Sequence, residues 1–157
     1  VMRPLLLLDV DGVLNPYGYS RRPAGYTEHD LFAEDDEPVL VNPEHGIWIS
    51  ELVRVYDVTW ATAWNHDANR LLAPLLGITP LPVLAMPSIP FHPGEKVPLV
   101  DRLARHRPAA WIDDLHTPEA RAWASGRGEP TLLVTIDPST GLTRRSVDRA
   151  LGWAVDL

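Results

Sequence analysis

The 157-residue chain has no cysteine, a single lysine and no long apolar run. Without cysteine there is no disulfide framework, no thiolate metal site and no cysteine nucleophile. The longest early apolar stretch, Leu5 to Leu8, ends at Asp9. It is too short for a signal-peptide core or a membrane span, so a cytoplasmic protein is expected. Positive charge is scarce too: the formal net charge is −7. Broad non-specific binding to nucleic acid needs many phosphate-facing cations, and this balance argues against it. A site gripping one phosphate at a chain end is not excluded. Of the fourteen basic residues thirteen are arginine, and only Lys96 is lysine. Arginine is a broad planar fork and lysine a compact point charge, so a lone lysine marks a place to look.

What is present is globular: 45% hydrophobic and 22% charged residues, enough for one domain with a real core over 1–157. Leu5–Val10 reads as a buried parallel strand, because an unbroken apolar run implies cover on both faces. Residues 16–41 show no sustained period and read as a flap or small hairpin excursion, with an acidic run at Glu34–Glu37. Asn42-Pro43-Glu44 is a helix start, and the helix is expected to reach Tyr56 with Trp48, Leu52 and Val55 inward. Strands are then expected at 57–62, 82–86, 109–112 and 131–136. Helices are expected after caps at Asn65 and Asp67 through Leu76, at 96–107, at 118–124 and at 146–155. This alternation predicts an α/β fold, a Rossmann-like doubly wound parallel sheet with helices on both faces.

In such a sheet the binding crevice lies outside the carboxyl ends of the strands. There the first strand delivers Asp9 and Asp11, the second Thr62, and the fourth Asp113 and Asp114. Lys96 opens the helix before the fourth strand. Carboxylates ending apolar strands repel one another unless a cation sits between them. Hard oxygen donors without histidine or cysteine suit Mg²⁺. Competing readings stay open: Thr59 lies near Thr62, Glu95 could be the anion facing Lys96, and Trp64 could stack on substrate or pack beneath the loop. Tyr17, Tyr19, Arg21 and Arg22 could reach substrate from the flap. Trp60 and Trp111 read as core, and His66 and His92 as neighbours of the motifs. His45, His66, His92 and His116 fit no zinc spacing.

The ordered segments LLLLDVDGV (5–13), VTWAT (58–62), GEK (94–96) and AAWIDD (109–114) resemble the four motifs of the haloacid dehalogenase (HAD) superfamily. WATAW (60–64) with WIDD (111–114) is similar to the small branch associated with Swiss-army-knife RNA repair proteins. The resemblance implies an Mg²⁺-dependent phosphatase. Asp9 would be the nucleophile forming an aspartyl-phosphate, and Asp11 the acid that protonates the leaving oxygen and then deprotonates water. Mg²⁺ would be held by Asp9, the backbone carbonyl of Asp11 and the Asp113-Asp114 pair, with Asp113 favoured as the ligand. Thr62, Ala63, Trp64 and Lys96 would meet substrate. The acid at Asp11 separates the chain from relatives that cleave carbon–halogen bonds and from ATP-driven pumps.

Between Asp9 and Thr62 lie 52 residues, and between Thr62 and Lys96 only 33. The elements expected there leave about 25 residues for an insertion, too few for a separately folded helical cap. The expectation is a capless enzyme with a small flap. An open site suits a bulky substrate such as a phosphorylated polymer end, though a small phosphomonoester fits the motifs as well. The competing class is a non-catalytic HAD-like ligand-binding or regulatory domain.

Overall fold

Four successive leucines can all be buried only in a strand covered on both sides. Leu5–Leu8 form that strand, β1. The computed structural model describes residues 2–34 and 37–157; Asp35 and Asp36, in the acidic run, lie outside the described residues. After β1 come a small antiparallel hairpin, β2 (Thr27–His29) and β3 (Val39–Val41), and helix α1 (Pro43–Val53). Next are β4 (Asp57–Trp60), a short α2 (Ala73–Leu76) and α3 (Lys96–Ala104). The chain ends with β5 (Ala109–Asp113), α4 (Pro118–Gly126), β6 (Thr131–Thr135) and α5 (Arg144–Val155).

The main sheet has the order β4-β1-β5-β6 with every pairing parallel. Its two faces bury alternate residues. Leu6, Leu8, Ala110 and Ile112 pack with Ile49 and Leu52 of α1, Leu76 of α2 and Val147 of α5. Leu5, Leu7, Ala109 and Trp111 pack with Val100 of α3 and Ala120 of α4. Each fully buried leucine contributes roughly 2 kcal/mol of transfer free energy, so β1 is the centre of both layers. The expected doubly wound α/β architecture is therefore present. No helix of the described residues is long and apolar enough to cross a membrane.

Several elements differ from the sequence expectation. The strand expected at 82–86 shrinks to one parallel bridge between Val83 and Trp60. Pro80, Pro82 and Pro87 remove N–H donors around it and prevent a longer ladder. The helix expected to start from caps at Asn65 and Asp67 opens as a π-helical turn at Ala68–Leu72 and becomes α-helical at Ala73. Pro74 has no N–H to continue a regular ladder, and the widened turn sits just ahead of it. Asp67 makes no cap bond but pairs with Arg70 at 3.0 Å. Asn65 adopts φ 50°, tolerable for asparagine, and its Oδ1 accepts from the Met86 N–H at 2.7 Å.

Helix bounds shift by a few residues. Helix α1 stops at Val53, and the N–H groups of Val55 and Tyr56 turn back to the Leu52 carbonyl. Its inward face carries Ile49 and Leu52, and half-buried Trp48, with Val55 just past its end, packs against the same core. Helix α3 ends at Ala104 because Arg105 flips to φ 50°. Thr143 caps α5 through the Ser146 N–H, so that helix starts at Arg144.

Candidate active site

The chain leaves β1 toward β4 on one side and returns to β5 on the other. The switch point, where doubly wound sheets bind ligands, thus falls between the carboxyl ends of β1 and β5. Asp9 follows β1 and Asp113 ends β5 at this point. Asp9 stays in register, its N–H donating to the Ile112 carbonyl at 3.1 Å. Its Oδ1 accepts from the Val10 N–H at 2.8 Å. Both carboxylates are buried, Asp9 at 6% and Asp113 at 2% exposure.

Lys96 reaches this pair from the first turn of α3. Its Nζ lies 2.8 Å from Asp113 Oδ2 and 3.5 Å from Asp9 Oδ2, and donates to the Ala61 carbonyl at 3.2 Å. Burial alone would depress the ammonium's pKa, but the facing carboxylates of Asp9 and Asp113 outweigh it and raise the value. Glu95, the other candidate anion, is occupied elsewhere. Its Oε2 accepts from the His92 N–H at 2.6 Å, while His92 Nδ1 accepts from the Gly94 N–H at 3.0 Å. This capping box fixes the turn at Pro93–Glu95 that aims Lys96 inward. His92 thus acts on the backbone before the lysine.

Carboxylate oxygens of Asp9, Asp113 and Asp114 lie within 4.8 Å of one another. Lys96 supplies one positive charge against three potential negative ones. The imbalance is visible at Asp9: burial, then the Asp113 charge, push its carboxyl well above the usual range despite Lys96. Asp114 is also raised, mainly by burial. A hard divalent cation on this all-oxygen donor set would relieve the repulsion. The donor chemistry therefore fits Mg²⁺.

Past Asp9 the chain folds over in a tight turn, with the N–H groups of Val13, Leu14 and Asn15 all converging on the Val10 carbonyl. Gly12 sits at φ +80°, and a Cβ there would come 2.6 Å from Asp114 Cγ. Only glycine fits without strain. Asp11, exposed at this turn, receives Asn15 Nδ2 on one oxygen at 3.1 Å and Trp64 Nε1 on the other, also at 3.1 Å. Its carboxylate is thus not part of the three-carboxylate cluster, although it lines the same pocket of about 250 Å³.

The description of a family, the HAD domain in Swiss Army Knife RNA repair proteins, fits this chain over residues 5–147. The chain belongs to that HAD family. No curated protein matches it. At the level of the superfamily it is a HAD-type hydrolase.

Within the HAD domain three of the four motif segments line the pocket, through Asp9 and Asp11, Lys96, and Asp113 and Asp114, whereas Thr62 of the second does not. Ala63 lines the pocket beside the second motif. Thr62 is almost wholly buried, and its Oγ1 accepts from the Trp64 N–H at 3.2 Å. Thr59 lies inside β4 opposite Leu7. Trp64 packs edge-on against Phe32 of the flap, with ring centroids 5.0 Å apart, so its ring is engaged by protein. Trp60 and Trp111 are core.

Tyr17 comes to the site but binds protein: its hydroxyl donates to Asp114 Oδ2 at 2.6 Å. That bond, with burial second, pushes its pKa up to about 12. Arg22 pairs with Glu28 inside the flap at 2.7 Å. Arg21 and His66 are exposed, and neither they nor Tyr19 line the pocket. His116 lies on Trp111 and bonds Thr135 Oγ1 at 2.7 Å, away from any metal-type cluster. Asn15 is the residue that sequence reasoning missed. Its only signal was a short amide in the turn after the first motif.

Proposed function

We propose that this HAD domain is an Mg²⁺-dependent phosphatase that hydrolyses a phosphomonoester through an aspartyl-phosphate on Asp9. The observation carrying the proposal is the buried Asp9 carboxylate at the switch point, with the chain's single lysine beside it. A carboxylate nucleophile must be kept from protonation and from bulk water until substrate arrives. Lys96 and the Val10 N–H stabilise its charged form. Lys96 also offers a compact cation to the charge that develops on the phosphoryl oxygens. Asp9, Asp113 and Asp114 would hold Mg²⁺, which when bound supplies charge neutralisation and orientation of the phosphoryl group.

In the first step an Asp9 oxygen bonds to phosphorus as the ester P–O bond breaks, and Asp11 gives its proton to the leaving oxygen. In the second, Asp11 takes a proton from water as that oxygen bonds to phosphorus. The P–O bond to Asp9 breaks, freeing inorganic phosphate and restoring both aspartates. Thr62 would serve as a phosphoryl-oxygen donor, and the Ala63 N–H would add a second.

The substrate proposed is bulky, a phosphorylated nucleic-acid end. Two observations support it: among the described residues the flap contributes only Tyr17 to the pocket lining, and the matched family is described as a HAD domain in RNA repair proteins. The test is phosphate release from a panel of nucleotides, sugar phosphates and 3′-phosphorylated oligonucleotides, with and without Mg²⁺. Metal-dependent release, strongest on the oligonucleotides, is expected. No release on any member would return the chain to a ligand-binding role.

A further inference from the structure

Asp11 is the one acidic group of the site whose two oxygens are both taken by uncharged side-chain donors, and both donors lead into the flap. Asn15 Nδ2 donates to Oδ1, and Trp64 Nε1 donates to Oδ2. The same Asn15 amide uses its oxygen to accept from the Leu40 N–H of β3 at 2.9 Å. The Trp64 ring in turn rests edge-on against Phe32, between the two flap strands. We infer that Asn15 and Trp64 are positioning residues that hang the Asp11 carboxyl between the sheet edge and the flap, so that the flap sets where the proton is delivered.

The inference rests on the proposed phosphatase chemistry and adds residues to it. A side chain on an exposed turn has freedom that a proton donor cannot use, because transfer needs hydrogen-bond reach to the leaving oxygen. Two N–H bonds on opposite oxygens remove that freedom. Trp64 has a second tie, since its backbone N–H donates to Thr62 Oγ1 at 3.2 Å. Thr62, the proposed phosphoryl donor, and Trp64 are thus bonded to each other. Neither Asn15 nor Trp64 lines the pocket, whereas Asp11 does; both act through Asp11.

The variant that isolates the contact is Trp64→Phe, which retains an aromatic ring against Phe32 and deletes the indole N–H. Asn15→Asp is the second variant: it keeps an acceptor for Leu40 and replaces the donor facing Asp11 with a carboxylate oxygen. The first readout is kcat/KM on two esters, dinitrophenyl phosphate and a simple alkyl phosphate. Dinitrophenolate leaves without a proton and the alkoxide does not. Each variant is expected to lose ~100-fold on the alkyl ester and to stay within about threefold on the dinitrophenyl ester.

The second readout needs no turnover. In the ¹⁵N–¹H spectrum the Trp64 indole resonance, assigned by its loss in Trp64→Phe, should move in Asp11→Ala protein more than the indole signals of the other tryptophans. Equal losses on both esters, no loss on either, or an unmoved indole resonance would overturn the inference while leaving the phosphatase reading intact. Wild-type protein that releases phosphate from neither ester nor from any member of the nucleotide and oligonucleotide panel would overturn both.

Discussion

Lys96 is an ammonium where every other strong base in the chain is a guanidinium, and its surroundings give the reason. Its Nζ fits among Asp113, Asp9 and the Ala61 carbonyl at 2.8, 3.5 and 3.2 Å. A planar fork would need more room and a different set of acceptors. Lys96→Arg is therefore expected to lower kcat by ~100-fold or more, the scale of losing an aligned donor to developing charge. Phosphate release from the preferred ester measures it, and near-normal turnover would reduce the lone lysine to coincidence. The lysine, the aspartates and their order along the chain were readable from composition and motif spacing. The hydrogen bonds were not. Tyr17 on Asp114, Glu95 on His92, and Asn15 and Trp64 on Asp11 depend on how the turns close in space. Side chains far apart in sequence, such as Tyr17 and Asp114, carry no local signal of meeting.

At the scale of elements, the apolar strands were legible because burial on both faces leaves an unbroken signature. β1, β4, β5 and β6 all appear within a residue or two of expectation. The failures lie where proline and packing override pattern: the Pro82–Met86 segment and the π-helical start after Thr62. Packing also explains Gly46, which sits in α1 where a helix would ordinarily prefer alanine. A Cβ at this position would come 1.9 Å from the Leu76 carbonyl of α2. Backbone cannot yield as a flexible side chain would, so α1 and α2 must part. Gly46→Ala should cost roughly 1–3 kcal/mol despite its better helix propensity. Urea unfolding followed by circular dichroism would show it, and a variant as stable as wild type would contradict the close contact.

Across the molecule, a buried histidine joins the flap, α1 and the segment before α5. His45 Nε2–H donates to the Leu142 carbonyl at 3.1 Å, and the His45 ring packs edge-on against Tyr26 of the flap. The Tyr26 hydroxyl donates to the Thr140 carbonyl at 3.0 Å. Burial lowers the pKa of His45 to about 4, as it does that of His116, where the Lys96 charge adds to the effect. Both stay neutral in the folded chain while the unfolded chain protonates them near its ordinary value of 6.5. Their stabilising effect is complete above that pH and is lost as pH falls from 6.5 toward 4, at most about 3 kcal/mol each. Asp9, with its raised pKa, works in the opposite direction, since protonating it relieves the folded state. The urea midpoint of wild type is expected to fall between pH 7 and pH 5, and to fall less steeply in His45→Gln protein. Identical slopes in the two proteins would remove His45 from the account. None of this long-range joinery was visible in the sequence, where His45 stood out only for fitting no metal spacing.

The central claim is that Asp9 receives the phosphoryl group. Protein mixed with excess activated ester and Mg²⁺, quenched in acid within one turnover and digested, reports it directly by mass spectrometry. The peptide containing Asp9 should carry the mass of one phosphoryl group, and Asp9→Asn protein should carry none and release no phosphate. Phosphate release by wild type with no modified Asp9 peptide, persisting undiminished in Asp9→Asn, would contradict it.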